Sequence, residues 1–298
     1  MIKLKDTCIK AYAYDKFIRI FACTSTNMVE EARKLHNTWP TATAALGRFL
    51  TASAMTSLMY KSGEHLTFLI NGEGQIGEMV VEASYGVVKG SIENPSVYLK
   101  YPNGHLAVGT AVGTNGNLVC IKDLHMREPF TSFSPLKTGE IGDDFTYFFA
   151  SSEQIPSSVG VGVLVDTDSK VLASGGFIVQ VMSGCPEAVI DTLEARLSEL
   201  KPISQMIEEN YTPLDIIKEI AMDNYEILEE LPIKYECDCS KERFKLKLES
   251  LGVKEIEDII EHEGHAEVLC HFCMKKYDFS KEDLTDVINN IKAHQKQE

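Results

Sequence analysis

The segment TATAALGRFLTASAMTSLMYK, residues 41–61, has the composition of a helix that is surrounded by protein on every side. It follows Pro40, and its apolar and small side chains fall on several faces of a helix rather than on one stripe. A helix that is apolar nearly all round is normally buried in a core. Because this helix stands among strand-like segments, the sequence predicts an α+β fold rather than a βαβ series.

Strand-like segments flank this helix over the first 182 residues. They carry β-branched residues in alternation between turns that contain glycine, which is typical of short paired strands. Asp166–Lys170, between two apolar runs, indicates a hairpin turn. A second helix is expected over residues 27–37, where Ser25 or Thr26 can cap it. Residues 1–182 thus predict an α+β domain with a mixed sheet and a buried helix. The expected strands lie in residues 67–92 (three strands), 116–124, 146–150, 159–166 and 170–182.

The bulk composition is that of a globular protein in a reducing compartment. Of the 298 residues, 44% are hydrophobic and 24% are charged, and the length suits two or three domains. No apolar run approaches the roughly 20 residues of a membrane-spanning helix. Residues 1–21 carry charges too frequently for a secretory signal. We therefore expect a cytoplasmic protein whose thiols bind metal or sense oxidant, because permanent disulfides are rare in that compartment.

The net charge of −15, from 29 basic and 44 acidic residues, argues against nucleic-acid and membrane partners. Nucleic-acid phosphates and anionic lipids repel such a chain unless it hides a basic patch. The densest basic run, residues 241–247, lies among carboxylates and predicts a solvated helix face. No nucleic acid and no membrane are therefore expected as partners.

The composition changes near residue 183. From Pro186 onward the chain is acidic, almost lacks glycine and repeats apolar residues at helical spacing. Thr212 and Pro213 resemble an N-cap followed by proline in the first helical turn. Residues 183–232 therefore predict an α-helical linker. Its helices have thin apolar faces and should depend on docking against another element for their stability.

Residues 233–298 predict a small C-terminal α+β module. Ser240 can cap one helix that ends at Gly252, and a second helix ends at Gly264. Residues 266–279 indicate a hairpin, and Ser280 with Asp283 forms a capping-box-like start to a last helix. So few core residues in about 60 positions make a module that is marginal by itself.

Four cysteines in this module form the strongest chemical signal in the chain. Cys237 and Cys239 form a Cys-x-Cys pair, and Cys270 and Cys273 form a Cys-x-x-Cys pair after 30 intervening residues. Four thiolates in two tight pairs match a tetrahedral, closed zinc site. Structural zinc contributes about 10–16 kcal/mol of apparent binding free energy, so the module is expected to fold because of its metal. Each pair is also close enough in sequence to form its own disulfide, so the same sulfurs can serve as ligands or as a redox switch.

A closed site has no open position for water, and this argues against hydrolytic zinc catalysis. His262, His265 and His271 lie nearby in sequence but form no ligand pattern better than four sulfurs, so they are expected at the surface. No catalytic residue is predicted, and residues 151–154 (SSEQ) lack a nucleophile elbow and an evident histidine partner.

Two further patterns have simple structural interpretations. Gly72–Gly77 matches the dinucleotide-binding fingerprint, but a strand-like segment follows it where that fingerprint needs a helix, so a hairpin turn is expected. The remaining cysteines are scattered in apolar stretches, and core packing is expected for them: Cys8, Cys23, Cys120 and Cys185.

Taken in order, several segments resemble the heat shock protein 33 family of redox-regulated holdase chaperones. They cover most of the chain, and their order together with the two cysteine pairs makes the resemblance specific. Tyr277 and Phe279 after the second pair also fit the family. The matching segments are residues 41–57, 71–83, 89–97, 151–166, 173–182, 237–240 and 270–279.

The resemblance implies a substrate-binding domain, a helical linker and a zinc-binding redox-switch domain. It implies an inactive reduced form that holds one Zn²⁺ per chain on Cys237, Cys239, Cys270 and Cys273. Oxidation would form Cys237–Cys239 and Cys270–Cys273 disulfides, eject zinc and unfold the linker. The oxidised form would then bind unfolding client proteins without ATP, as a homodimer. Such a protein is a chaperone and not an enzyme.

Two other classes of function remain open on the residues alone. A zinc-ribbon adaptor that binds nucleic acid or a transcription partner would show strongly salt-dependent retention on DNA or RNA. A thiol–disulfide oxidoreductase would use the Cys270–Cys273 spacing, although the surroundings lack a thioredoxin-like βαβ context. Catalytic turnover in insulin reduction would support that alternative.

Overall fold

The computed structural model describes residues 5–294. The chain divides into two compact units, and the boundary lies between Glu236 and Cys237. Within the described part, no helix combines the length and apolar composition that crossing a bilayer requires.

The first unit contains eleven strands and seven helices among its described residues. The strands are β1 Thr7–Ala13, β2 Ile18–Thr24, β3 His65–Asn71, β4 Met79–Ser84, β5 Val87–Ile92, β6 Asn117–Asp123, β7 Phe130–Pro135, β8 Ser157–Val165, β9 Val171–Val181, β10 Tyr225–Pro232 and β11 Lys234–Tyr235. The helices are α1 Thr26–His36, α2 Pro40–Ser57, α3 Val108–Val112, α4 Gly142–Ser151, α5 Glu187–Glu199, α6 Ile203–Glu208 and α7 Pro213–Ala221.

These strands form two sheets. Sheet 1 has the order β10-β1-β2-β9-β8 and is antiparallel throughout. Sheet 2 has the order β11-β5-β4-β3-β6-β7 and is mixed, because β11 runs parallel to β5 while the other pairs are antiparallel. The α+β class predicted from the sequence is confirmed.

Helix α2 lies in the core and packs against both sheets. Every residue of α2 except Pro40 and Arg48 is buried. It contacts β8 and β9 of sheet 1 and β4 and β5 of sheet 2. Its buried hydroxyls make local hydrogen bonds, as where Ser25 Oγ lies 2.8 Å from both Thr51 Oγ1 and Ser174 Oγ, except that of Ser53, which has no partner in the described part of the chain. The buried helix expected at residues 41–61 is therefore confirmed, with its end at Ser57.

The opposite face of sheet 1 is covered by α5, α6 and α7. These helices belong to the predicted linker, residues 183–232. They pack in one core with sheet 1 and are part of the first compact unit. Ile216, Ile217 and Ile220 of α7 are completely buried against strand residues of sheet 1. Thr212 caps α7 as expected, since its hydroxyl accepts the N–H of Asp215 at 3.3 Å. Sheet 1 is thus buried on both faces.

Two secondary-structure predictions are wrong. Residues 225–232 were expected to continue the linker helices but form strand β10, which pairs with β1. The open backbone edge of β1 outweighs helical spacing there, and Pro232 disfavours helix at the residue before it. Residues 146–150 were expected as a strand but belong to helix α4. Phe145, Phe148 and Phe149 are buried on one face of the helix. Phe148 and Phe149 lie three and four residues after Phe145, and this helical spacing is not visible in residues 146–150 alone.

The second unit follows the predicted order of elements. It contains α8 Lys241–Leu248, a 3-10 turn Glu249–Leu251, α9 Val253–His262, β12 Ala266–Leu269, β13 Lys276–Phe279 and α10 Lys281–His294. Strands β12 and β13 form the expected hairpin. Its small core is built from Ile256, Tyr277, Phe279, Leu284, Val287, Ile288 and Ile291.

Candidate metal centre

The four cysteines of the second unit lie on two separate segments. Cys237 and Cys239 lie on the extended stretch before α8, whose direction is set by Ser240: its hydroxyl accepts the N–H of Arg243 at 3.2 Å. Cys270 and Cys273 lie in the turn that joins β12 to β13. The turn is held by a 2.8 Å bond from the Met274 N–H to the Cys270 carbonyl. Local backbone hydrogen bonds therefore present both thiol pairs.

The fold brings all four sulfurs into one cluster. Their Sγ atoms lie within 4.8 Å of one another. Cys237 Sγ is 3.7 Å from Cys270 Sγ, and Cys239 Sγ is 3.3 Å from Cys273 Sγ. A tetrahedral site with Zn–S bonds of about 2.3 Å places its sulfurs roughly 3.8 Å apart. The spacing and the donor type fit zinc, and all four thiols are free.

Tyr277 is a neighbour of the cluster to which the sequence analysis assigned no role. Its hydroxyl lies 3.1 Å from Cys239 Sγ and donates a 2.9 Å hydrogen bond to the Cys239 carbonyl. The ring is buried and packs against Phe244 at a centroid distance of 5.2 Å. Tyr277 thus joins the hairpin to the first cysteine segment. The sequence feature that could have indicated this contact is the position of Tyr277, four residues after Cys273. A tyrosine there lies on the strand that follows the cysteine turn, close to the metal ligands.

The environment affects the thiols unequally. Burial raises the pKa of Cys239, but hydrogen bonds with Tyr277 and the neighbouring sulfurs lower it, and the resulting pKa is about 7. Burial is also the main cause that raises the pKa of Cys237 and of Cys273, and contacts with other sulfurs of the cluster contribute. Cys239 is therefore a sulfur poised to ionise near neutral pH, and the thiolate is the form that binds metal and reacts with oxidants.

The three nearby histidines stay outside the cluster. His262, His265 and His271 are exposed, and none belongs to the group of side chains that could hold an ion. Between residues 5 and 294, these four cysteines are the only such group of three or more His, Cys, Asp or Glu side chains. Four sulfurs complete a tetrahedron, so the arrangement suits a structural or redox-sensitive metal rather than a hydrolytic one.

The other patterns noted in the sequence form no second chemical site. Residues 72–77 lie in the loop between β3 and β4, which confirms the predicted hairpin. A Cβ added at Gly72 would lie 2.3 Å from the carbonyl oxygen of Gly113, so glycine is needed for close backbone approach. The Ser151 hydroxyl donates to the Tyr147 carbonyl of its own helix, and Glu153 accepts two hydrogen bonds from Lys122.

The scattered cysteines behave largely as predicted. Cys8, Cys23 and Cys120 are buried in the core, where burial raises their thiol pKa values. Cys185 is only partly buried, at the margin of the core formed by sheet 1 and the linker helices. Core packing is therefore confirmed for three of the four.

The antiparallel hairpin around Cys270 and Cys273 also bears on the oxidoreductase alternative. Thioredoxin-like enzymes place the Cys-x-x-Cys motif in a βαβ context, whereas here it lies between β12 and β13. The structure lacks the context that this alternative needs.

Comparisons with known proteins agree on one family. Residues 6–280 match the family model described as Hsp33 protein. The chain is 50% identical to the 33 kDa chaperonin of Acholeplasma laidlawii over 289 residues, which cover 96% of this chain and 99% of the relative. It is 49% identical to the 33 kDa chaperonin of Bacillus subtilis over 281 residues, covering 94% and 97% of the two chains. The crystal structure of the Hsp33 homologue from Thermotoga maritima has a TM-score of 0.89, 34% identity, and coverage of 96% and 99%.

Proposed function

The chain belongs to the Hsp33 family, and from that membership we propose that it is an ATP-independent chaperone activated by oxidation. The observation that carries this proposal is the cluster of four sulfurs, from two segments, within 4.8 Å of one another. The protein acts on unfolding client proteins in the cytoplasm, and no nucleic acid or membrane is a partner. It is not an enzyme.

In the reduced, inactive form, Cys237, Cys239, Cys270 and Cys273 hold one zinc ion per chain. Bound zinc keeps its sulfur ligands deprotonated and joins the two cysteine segments. The side chains of this unit add a small core, and Lys241 of α8 pairs with Asp283 of α10 at 2.8 Å. So small a core needs the metal crosslink to stay folded.

Oxidation converts each thiol pair into a disulfide. A thiolate of the pair attacks one oxygen of a peroxide, which yields a sulfenic acid and one water after protonation. The second sulfur then displaces the sulfenic oxygen as water and forms the S–S bond. Each peroxide thus accepts two electrons, and two peroxides convert Cys237–Cys239 and Cys270–Cys273. With its four ligands consumed, the site releases the metal.

Loss of the metal is followed by release of the linker helices from sheet 1. The chain is hydrogen-bonded to sheet 2 up to Glu236, whose N–H donates to the Val88 carbonyl at 2.9 Å, and Cys237 is the next residue. The linker helices are short, and within α5 only Leu193 is buried. Helices of this kind depend on docking. Their release uncovers the apolar face of sheet 1 that α7 now buries, and such a surface binds other apolar chains.

The oxidised form is a homodimer in this proposal. The net charge of −15 helps to keep a protein with an uncovered apolar face soluble.

The experiment combines metal release with chaperone activity. Reduced, zinc-loaded protein is treated with peroxide at mildly raised temperature, while a chelating dye reports zinc and light scattering reports aggregation of a thermally unfolding client. About one zinc per chain should appear as suppression of aggregation begins. Cys273→Ser lacks one metal ligand and should make zinc content and aggregation suppression independent of peroxide, whereas Cys185→Ser, outside the cluster, should respond as the unchanged protein does. Equal suppression by the reduced, metal-loaded protein would contradict activation by oxidation.

A further inference from the structure

The outer edge of β8 carries backbone groups that have no partner in the sheet. β8 is the last strand of sheet 1 and pairs only with β9. The 2.9 Å bond from the Val181 N–H to the Pro156 carbonyl fixes the alternation of this antiparallel pair. It follows that Gly160, Gly162 and Leu164 direct their N–H and C=O groups toward β9. Val161, Val163 and Val165 direct theirs outward.

Only the first part of this edge is satisfied by the protein. The outward N–H of Val159 donates to Thr146 Oγ1 of α4 at 2.9 Å. Within residues 5–294, no hydrogen bond is made by the outward backbone groups of Val161, Val163 or Val165. Edge groups of this kind are a template for pairing with another extended chain.

The free part of the edge lines a groove in the first unit. The groove has a volume of about 1020 Å³, and residues 160–166 form one wall. Trp39 and Tyr98 also line it, and they are 51% and 50% exposed. Half-exposed aromatic side chains are favoured contacts in protein interfaces. Arg48 lines the groove as well, and its buried Nε has no hydrogen-bond partner within the described chain.

We propose that this groove binds an extended segment of a client polypeptide, which adds to sheet 1 as a strand beside β8. The inference rests on the proposed chaperone function and names the surface that receives the client. Alternating free N–H and C=O groups over residues 161–165, roughly 13 Å of strand, match the backbone of any extended chain. Because these bonds involve only backbone, they suit a chaperone that must accept many sequences.

A second copy of the protein fits this edge less well. Pairing β8 with β8 would bring the same edge of two chains of net charge −15 together, so the homodimer of the oxidised form is expected to use another surface. Like charges placed together disfavour association. An unfolded client segment has no such constraint.

The linker forms another wall of the groove. Leu197, Leu200 and Ile203 line it, and α6 packs closely on β8. A Cβ added at Gly162 would lie only 2.8 Å from the backbone N of Ser204, so a glycine is needed at that contact. Release of the linker would remove this wall and open the groove along its length. Strand addition should therefore be stronger in the oxidised protein than in the reduced one.

The test uses a short fluorescent peptide of alternating valine and threonine, and a peptide of the same sequence that is N-methylated at every residue. The two have the same side chains, but the methylated one cannot donate hydrogen bonds to a strand edge. We expect anisotropy to show binding of the unmethylated peptide to the oxidised full-length protein, and at least about tenfold weaker binding of the methylated one. Equal binding of both peptides would overturn the proposal.

Two proline variants locate the binding edge. Val161→Pro removes one outward N–H of β8. It removes no bond to β9, because the Val161 N–H points away from β9, and proline is compatible with edge positions of this kind. Thr131→Pro is the matched control, because Thr131 lies outside the linker and faces outward on β7, an edge strand of sheet 2, four residues from the natural Pro135. Val161→Pro should weaken peptide binding about tenfold, and Thr131→Pro should leave it unchanged. Equal effects would contradict the assignment to β8, and circular dichroism checks that each variant folds.

Further outcomes separate this proposal from the others. If Val161→Pro folds poorly, the two peptides on the unchanged protein still decide the matter. If sedimentation shows that Val161→Pro abolishes a dimer while peptide binding persists, a second copy occupies the edge and the proposal is wrong. Aggregation of the unfolding client is measured in parallel. Suppression that persists without strand addition would refute this surface alone, whereas no suppression in either redox state would refute the chaperone function itself.

Discussion

The hydroxyl of Tyr277 contacts Cys239 twice, at 3.1 Å from the sulfur and through a 2.9 Å hydrogen bond to the carbonyl oxygen. Residues that orient metal ligands in this way typically account for 10–100-fold in metal affinity. The contact therefore makes Tyr277 part of the metal centre, although its ring belongs to the core of the second unit.

Replacing Tyr277 by phenylalanine should weaken zinc binding. The ring and its packing on Phe244 remain in Tyr277→Phe, but both hydrogen bonds to Cys239 are lost. We expect roughly tenfold weaker zinc binding, measured by competition with a chelating dye on the reduced protein. Tyr225→Phe, a tyrosine of β10 in the first unit, is the control and should bind zinc as the unchanged protein does. Equal affinity of both variants would show that the contact does not support the ligand.

Removing zinc under reducing conditions should unfold the second unit and leave strands β3 and β4 of the first unit intact. The core of Ile256, Phe279 and Leu284 is small, and the apparent stabilisation by structural zinc is about 10–16 kcal/mol. Hydrogen exchange followed by mass spectrometry should show protection lost in α8–α10 and retained in β3 and β4. Protection retained throughout α8–α10 after chelation would show that the unit folds without metal.

Weakening the docking of α7 should activate the chaperone partly without oxidant. Ile217 is completely buried against sheet 1, and Ile217→Ala should cost about 2–5 kcal/mol of local stability. We expect faster proteolysis within residues 183–232 and measurable suppression of client aggregation by the reduced protein. Ile227→Ala changes an isoleucine that is exposed on β10 and should do neither. Faster proteolysis without any gain in activity would separate linker release from client binding.

Oxidation should form disulfides within the cysteine pairs. The expected bonds are Cys237–Cys239 and Cys270–Cys273, whereas the shortest Sγ distances join Cys237 to Cys270 and Cys239 to Cys273. Only bonds within the pairs leave the two segments free to separate after the metal has gone. Peptide mapping of oxidised protein distinguishes the two pairings. A dominant Cys237–Cys270 or Cys239–Cys273 crosslink would be incompatible with the proposed unfolding.

Asp6 should make the stability of the first unit depend on pH. Burial raises the pKa of Asp6 from 3.8 to about 6, although the carboxylate accepts a 2.7 Å hydrogen bond from the Met28 N–H. The folded state therefore binds a proton more tightly than the unfolded state. This group contributes stability that is fully present below pH 3.8 and lost as pH rises through about 6.

The measurement is urea unfolding of Asp6→Asn and of the unchanged protein between pH 4 and pH 7. Relative to Asp6→Asn, the unchanged protein should lose unfolding free energy as the pH rises across this range. The loss should be a few kcal/mol at most. A difference that is independent of pH would show that the Asp6 carboxyl titrates alike in both states.

Much of the architecture could be predicted from local signals. Thr212 and Ser280 cap the helices where their side chains indicated, and residues 41–57 are buried because no face of that helix is polar. The four cysteines were identified by spacing alone. The predictions failed at residues 146–150 and 225–232, where neighbouring segments decide the backbone state. An apolar run of five residues suits either a strand or a helical face, and the glutamate-rich β10 is a strand because β1 offers it backbone partners.

The sequence by itself determined the residues that carry chemistry, because the kind and spacing of thiol ligands are properties of the chain and survive unfolding. Tertiary structure alone decided which groups surround them and which surfaces are left open. The hydroxyl of Tyr277 beside Cys239, the cover of α7 over sheet 1 and the unpaired edge of β8 all join residues far apart in sequence or depend on the order of strands in a sheet. Contacts of this kind form only when burial of apolar surface brings distant segments together, so no local pattern in the chain encodes them.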